Sequence, residues 1–388
     1  MTKIHPLLDP EKQRSAQNYE TKKRKLSSVR LVSTFLLMLI FILFISRSLT
    51  EVLPQSLPLR FLFFIWILVL FTLPADLLFA YISGYRIEHE FGFSNQNRRQ
   101  FFTDEAKAVA VSLILNPLLA LVLFLTFHLS SEMWWLWAAG AMILVSGVFA
   151  TLYPIVILPL FNKYTPVEDE ELKKRLGRIL HDAGLKIKGF YVQDMSKQTK
   201  KENAFLGGIG KTRRVVLSDN IINNMELDEL ETVIAHEVGH YKHKHIMKNI
   251  FAGALFQLLV FYLCHQIMLR IYPDYLTSFN SMLSAFPLFL LCFGALNMLI
   301  VSPLSNALSR ANERQADRYA LNATGRTDAF QRAMAGLANR NLSNAYPGPF
   351  IKYLYYSHPP VGERLAMAEE REELHTSSRI NEDQETGT

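Results

Sequence analysis

Six stretches of this chain are apolar over the length a bilayer demands, and the polar residues collect between them. The one charged residue in Leu31–Leu49 is Arg47, and in Phe61–Ser83 it is Asp76. Ala108–Phe127, Met133–Phe161 and Ser281–Leu304 carry no charge, and Ile250–Leu269 holds a single imidazole, His265. About 18 such residues cross the hydrocarbon layer as a helix. The pattern therefore predicts six transmembrane helices, four within residues 31–161 and two within 249–305. Residues 1–30 read as a polar tail. Two polar segments, 162–248 and 306–376, follow the two groups of spans. Residues 377–388 are too polar to bury anything and read as a disordered end.

Within 162–248 the periodicity becomes that of a small α+β unit. Leu172, Leu176, Ile179 and Leu180 fall on one face of a helix over Glu168–Ala183, with Gly184 suited to its C-cap. Gly189–Gln193 and Arg214–Leu217 are strand-like. Asn203–Gly210 between them reads as a glycine-rich turn. A further helix is predicted from Asp228, its N-cap, with Glu231 three positions on. No Pro or Gly lies between Tyr241 and Lys248, so this helix is predicted to run almost uninterrupted into the fifth span.

The composition agrees: 388 residues, half hydrophobic, net charge +6. Lys22–Lys25, Arg86, Arg98, Arg99, Lys163 and Lys173–Arg175 lie in alternate connecting segments, whereas Glu51–Leu59, His128–Glu132 and Ile271–Phe279 hold no Lys or Arg. Basic residues stay on the cytoplasmic side. Both termini and both polar segments are thus predicted to be cytoplasmic, and the basic runs report topology rather than nucleic-acid binding. No cleavable leader is read at the N-terminus; the first apolar run serves as an anchor. Cys264 and Cys292 both lie in spans, where a disulfide or thiolate metal site is not expected. Asp76, with Asn116, Asn297 and Asn306, suggests a polar bundle interior.

The chemistry is carried by His236-Glu237-Val238-Gly239-His240. Residues i and i+4 share a helix face, so both imidazoles reach one metal ion while Glu237 lies beside its open position. That is the arrangement of a zinc hydrolase, in which the carboxylate takes a proton from the attacking water. A third protein ligand is required. A third His ten positions after the first is excluded, because Ile246 stands there. Ser309–Ala320 is strongly helical and sets Glu313 and Asp317 four apart on one face. Glu313 is the expected third ligand, and Asp317 the acceptor for the free ring nitrogen of a ligand His. His243, His245 and His265 read as polar bystanders.

With these residues in place, the chain resembles the integral-membrane zinc metalloproteases of the type I CAAX prenyl protease family. The resemblance extends over about residues 15–370 in EFGFSNQ (Glu90–Gln96), PLFNKYTPVEDEELK (Pro159–Lys173), NAFLGG (Asn203–Gly208), Ala316-Asp317 and YSHPPVGERL (Tyr356–Leu365), in the family's order. It implies a mainly α fold: a polytopic helical barrel around a water-filled chamber, capped by a small α+β zincin-type domain formed from 162–248 and 306–376. It implies one Zn²⁺ per chain, on His236, His240 and Glu313, and a peptide or protein substrate; eukaryotic members cleave the last three residues from farnesylated CAAX proteins. By the same resemblance Asn203-Ala204 belong to the edge strand that pairs with substrate, His358 contacts substrate or the oxyanion, and Arg364 supports the substrate site. Eukaryotic members carry a further N-terminal span, so this chain reads as a six-span form, in the plasma membrane if bacterial and the endoplasmic reticulum if eukaryotic. Competing readings are a membrane-protein quality-control protease and a non-catalytic membrane scaffold. A transporter fails because the spans hold too few facing titratable pairs.

Overall fold

Asp9 begins the first helix. Its carboxylate accepts the N–H groups of Glu11 at 2.8 Å and Lys12 at 3.2 Å, and Pro10 at the first turn needs no partner. Helix α1 then runs from Pro10 to Val52, so most of the stretch expected to be a tail is helical and continuous with the first span. The computed structural model of the chain describes residues 4–130, 132–152, 157–208 and 213–386. The polar start of α1 packs on distant parts of the chain. Leu8 is buried in the core of the α+β unit, and Gln13 accepts the Ala345 N–H at 2.9 Å and donates to the Ser343 carbonyl at 3.2 Å. Hydropathy alone conceals this, because the contact is made by polar side chains around one leucine.

Helices α2 (Leu57–Glu90) and α3 (Arg98–Leu129) follow, α3 opened by a capping box between Asn97 and Gln100. Helix α4 (Trp134–Leu152) is apolar from Trp134 to Phe149; residues 153–156 of the expected fourth span lie outside the described residues. Helices α8 (His245–Ile271) and α9 (Phe279–Thr324) come later in the chain. Five described helices (α1, α2, α3, α8, α9) are long and apolar enough to cross a bilayer. The six pack in a closed ring: α1 on α2, then α3, α4, α8, α9 and back to α1. Pro117 inside α3 leaves the Leu113 carbonyl without its helical donor, and Trp66 Nε1 of α2 donates to it at 3.0 Å.

The ring surrounds a cavity of about 340 Å³ reached by side chains from all six helices, among them Met38, Leu68, Met142, Phe261 and Phe289. Asn116 and Thr72 are polar residues of its wall. Asp76 is not; it pairs with Arg30 of α1 at 2.9 Å, both about half exposed. Asn297 donates to the Phe293 carbonyl and Asn306 to that of Leu354. The costly carboxylate has thus found a cation, and these two amides serve the backbone.

The second unit is a four-stranded sheet with helices. Its strands are β1 (Tyr164–Pro166), β2 (Phe190–Gln193), β3 (Ala204–Gly207) and β4 (Arg214–Ser218), in the order β1-β2-β4-β3. Only β2 and β4 are parallel. Strand β3 lies within the stretch read as a turn: its glycines sit at the strand's end, where Gly208 takes φ +88°, while Ala204–Leu206 extend. Helix α5 (Glu170–Asp182) is capped by Asp169 and closed by Gly184 at φ +66°. Short α6 (Asp219–Asn224) leads to α7 (Leu227–Lys242). The cap of α7 is Glu226 with Glu229 rather than Asp228, which instead pairs with Arg332 at 2.6 Å. Helices α10 (Thr327–Arg340), α11 (Pro349–Tyr355) and α12 (Val361–Thr386) complete the unit. Helix α12 passes through Ser377, where disorder was expected; that region is rich in charged residues of good helix propensity. Leu176, Leu217, Ile234, Phe330 and Leu365 form the common core.

Candidate metal centre

Helix α7 carries His236, Glu237 and His240, and α9 carries Glu313 and Asp317. The two helices lie almost in contact because the residue between the imidazoles is a glycine. A Cβ on Gly239 would stand 2.9 Å from Ala316 Cα and 3.0 Å from Ala316 O. Close approach brings the two sets of side chains together. His236 Nε2 and His240 Nε2 are 3.1 Å apart. Glu313 Oε2 lies 3.1 Å from the first and Oε1 lies 3.3 Å from the second. Each of the three residues offers one ligand atom, all within 4.8 Å of one another.

The donor set fits a divalent cation. Glu313 Oε2 is buried and, apart from its 3.1 Å contact with His236 Nε2, has no hydrogen-bond partner among the described residues, an arrangement that is costly unless a cation completes it. The ring nitrogens facing away are occupied. His236 Nδ1 lies 2.8 Å from Asp317 Oδ1, and His240 Nδ1 lies 3.0 Å from His245 Nδ1, whose Nε2 in turn meets Gln315 Oε1 at 3.0 Å. The Nε2 lone pairs are thereby left pointing inward. Burial pulls the His236 imidazole down, but the Asp317 and Glu313 carboxylates outweigh it and lift it to about 9. A cation arriving between the rings therefore competes with a proton. Burial also pushes the Glu237 carboxyl up, against the neighbouring imidazoles, the direction that a proton-exchanging carboxylate would need.

The other expected site residues fall as follows. Glu237 Oε2 accepts the Leu206 N–H of strand β3 at 3.4 Å. Asn203 and Ala204 begin the same edge and line a cleft of about 370 Å³ that also includes His236, Glu237 and His358. His358 Nε2 is 3.4 Å from Glu313 Oε1, with its side chain largely exposed. Arg364 does not reach into the cleft alone: it grips Asp317 with Nε at 2.9 Å from Oδ2 and Nη2 at 2.5 Å from Oδ1. Asp317 is thus shared between a cation and His236.

His245 was not expected here. It is reached because α7 ends at Lys242 and α8 begins at His245, the chain turning through Lys244 in the left-handed region at φ +55°. The uninterrupted helix expected from the lack of Gly and Pro is broken at a lysine, and the break swings His245 back beneath His240. His243 stacks on His245 and stays exposed.

Comparison with known proteins places this geometry. Residues 166–372 match the family described as peptidase family M48, and residues 2–163 match the CAAX prenyl protease N-terminal region, with five membrane helices. A CAAX prenyl protease 1 from Saccharomyces cerevisiae is 30% identical over 405 residues, covering 94% of this chain and 88% of that one. An uncharacterized metalloprotease, YhfN, from Bacillus subtilis is 29% identical, covering 87% of this chain and 80% of the relative. The crystal structure of S. mikatae Ste24p superimposes with a TM-score of 0.82 at 25% identity, over 95% of this chain and 92% of that one.

Proposed function

Because the chain belongs to peptidase family M48, together with the CAAX prenyl proteases, we propose that its metal is zinc, one ion per chain, held by His236, His240 and Glu313. The chain is an integral-membrane metalloendopeptidase that acts on protein or peptide substrates. Zinc in such a set supplies a Lewis acid and an activated water near neutral pH. The chain's own residues do the rest. Glu237 takes the proton of the attacking water and returns it to the leaving amine. Asp317, steadied by Arg364, orients His236, and His245 orients His240. The free edge of β3 pairs with the substrate main chain, with Asn203 and Ala204 in that edge. His358, at the cleft, donates to the oxyanion.

The single observation that carries this reading is the convergence of two Nε2 atoms and an otherwise unpartnered carboxylate oxygen beside a glutamate that faces an open strand edge. The substrate is proposed to be a C-terminally prenylated protein, cut near its C-terminus, since relatives carry that name. The distribution of Lys and Arg supports a cytoplasmic catalytic unit and termini. The test is cleavage of a farnesylated peptide and its unmodified twin by the purified chain, with products identified by mass. Preferential release of the last three residues from the farnesylated peptide is expected. Equal turnover of both would remove the prenyl requirement, and no chelator-sensitive cleavage of either would remove the zinc assignment.

A further inference from the structure

Main-chain groups alternate from side to side along a strand, and the partners of β3 show which of its groups are free. Asn203 faces β4: its carbonyl accepts the Ser218 N–H at 2.9 Å, and its N–H donates to Ser218 Oγ at 3.1 Å. On β4, Val215, opposite Leu206, donates the other way to Gly189 O at 3.1 Å. Glu202, Ala204 and Leu206 therefore present their N–H and C=O groups to the open edge. At Leu206 the N–H meets Glu237 Oε2. At Glu202 both groups are already engaged. Asn341 Oδ1 accepts the Glu202 N–H at 2.9 Å, and Asn341 Nδ2 donates to the Glu202 carbonyl at 3.1 Å. One side-chain amide stands where a neighbouring strand would be.

Several contacts hold this amide in place. Leu342, directly after it, adopts φ +48°, a left-handed conformation that an apolar side chain takes only when its surroundings impose it. Its side chain is buried with Ala16 of α1 and Phe93. Arg340, directly before it, pairs with the fully buried Glu202 carboxylate at 2.5 Å, and Asn224 Nδ2 donates to the same oxygen at 2.8 Å. Asn341 itself lines the cleft that contains His236 and Glu237.

We propose that Asn341 is a positioning residue that determines specificity by ending the paired length of the substrate groove. On the Glu202 side of the scissile bond, a bound peptide meets one open main-chain pair, that of Ala204. Beyond it the peptide finds Asn341 already in its place and leaves the edge. Between Leu206 and the amide there is room for about three extended residues, roughly 10 Å. The inference rests on the reading that the β3 edge takes substrate.

The test uses the full metal-loaded chain in detergent and a peptide substrate of mapped cleavage site, methylated at one backbone nitrogen at a time, with kcat/KM measured for each. Methylation of the residue that pairs with Ala204 is expected to lower kcat/KM roughly tenfold, on the scale of a lost main-chain hydrogen bond and its displaced partner. Methylation two residues further out on that side is expected to have no effect on the natural chain. In Asn341→Ala, with unchanged metal content, sensitivity is expected to appear at that outer position. A comparable loss at the outer position in the natural chain overturns the proposal, and that arm does not depend on any variant folding. Unchanged sensitivity at the outer position in a folded, metal-replete Asn341→Ala chain overturns it too. Indifference to methylation at every position would instead remove the strand-pairing reading, and the proposal with it.

Discussion

Two side chains at the metal centre can be separated by what their loss does. Replacing Glu237 with Gln keeps the shape and removes the proposed base, so turnover is expected to fall by about 10²–10⁴-fold while metal content, measured by atomic absorption, stays near that of the natural chain. Undiminished turnover would reassign the proton transfer. Asp317→Asn leaves His236 without its anionic partner. Metal affinity, read by competition with a chromophoric chelator, should drop about 10–100-fold, and an unchanged affinity would show that Asp317 serves Arg364 alone. Acid should act in the same direction. With His236 lifted to about 9, its protonated form gains as pH falls, and a metal ion must displace that proton. Metal retained after dialysis should therefore decline as pH is lowered from about 9 toward 5; retention independent of pH would contradict the competition. His236, Glu237 and His240 were legible because helical spacing alone puts them together, and Glu313 with Asp317 because a four-residue interval of acids is conspicuous on a helix next to a span. His245 and Asn341 were not, since each depends on one residue, Lys244 or Leu342, turning through a left-handed conformation that composition does not announce.

At the scale of elements, the packing of α7 on α9 decides the site, and it hinges on one position. In Gly239→Ala the new methyl meets backbone, Ala316 Cα and O, which cannot rotate away. The helices must separate. Destabilisation of about 1–3 kcal/mol is expected, with weakened metal binding because the ligands sit on opposite helices; calorimetry and metal analysis of the same preparation check both. A Gly239→Ala chain with natural thermal stability and metal affinity would show that the helices have slack. The apolar spans, α5, β2 and β4 followed from periodicity, since each buries one clean face or is apolar throughout. Strand β3 escaped the periodicity because three of the eight residues from Asn203 to Gly210 are glycine. The start of α1 escaped because its helix is stabilised by polar contacts to residues more than 300 positions away, which no local pattern contains.

For the whole molecule, α1 is a tie between the membrane ring and the catalytic unit. Leu8 is buried in the core of that unit, and Gln13 holds the Ser343–Ala345 loop, which starts two residues after Asn341. Leu8→Ala is expected to cost about 2–5 kcal/mol and to raise hydrogen exchange in residues 339–346. Natural protection there would mean that the loop is secured without α1. The ring closure itself was implied by the family resemblance rather than by hydropathy, which counts spans but does not order them.

Among the described residues, helix α9 is the one rod that passes from the membrane ring to the metal ligands without a break, Phe279 to Thr324, whereas α8 is detached from α7 at Lys244. With Gly239 seated on Ala316, the imidazole helix is moored to that rod like a crosstree to a mast. Tilting of the mast in a thinner or thicker bilayer carries all three ligands together and leaves their spacing alone, while the jointed α8 absorbs the mismatch. Lipid chain length should then govern how readily substrate reaches the cleft, and hardly at all how firmly the ion is held.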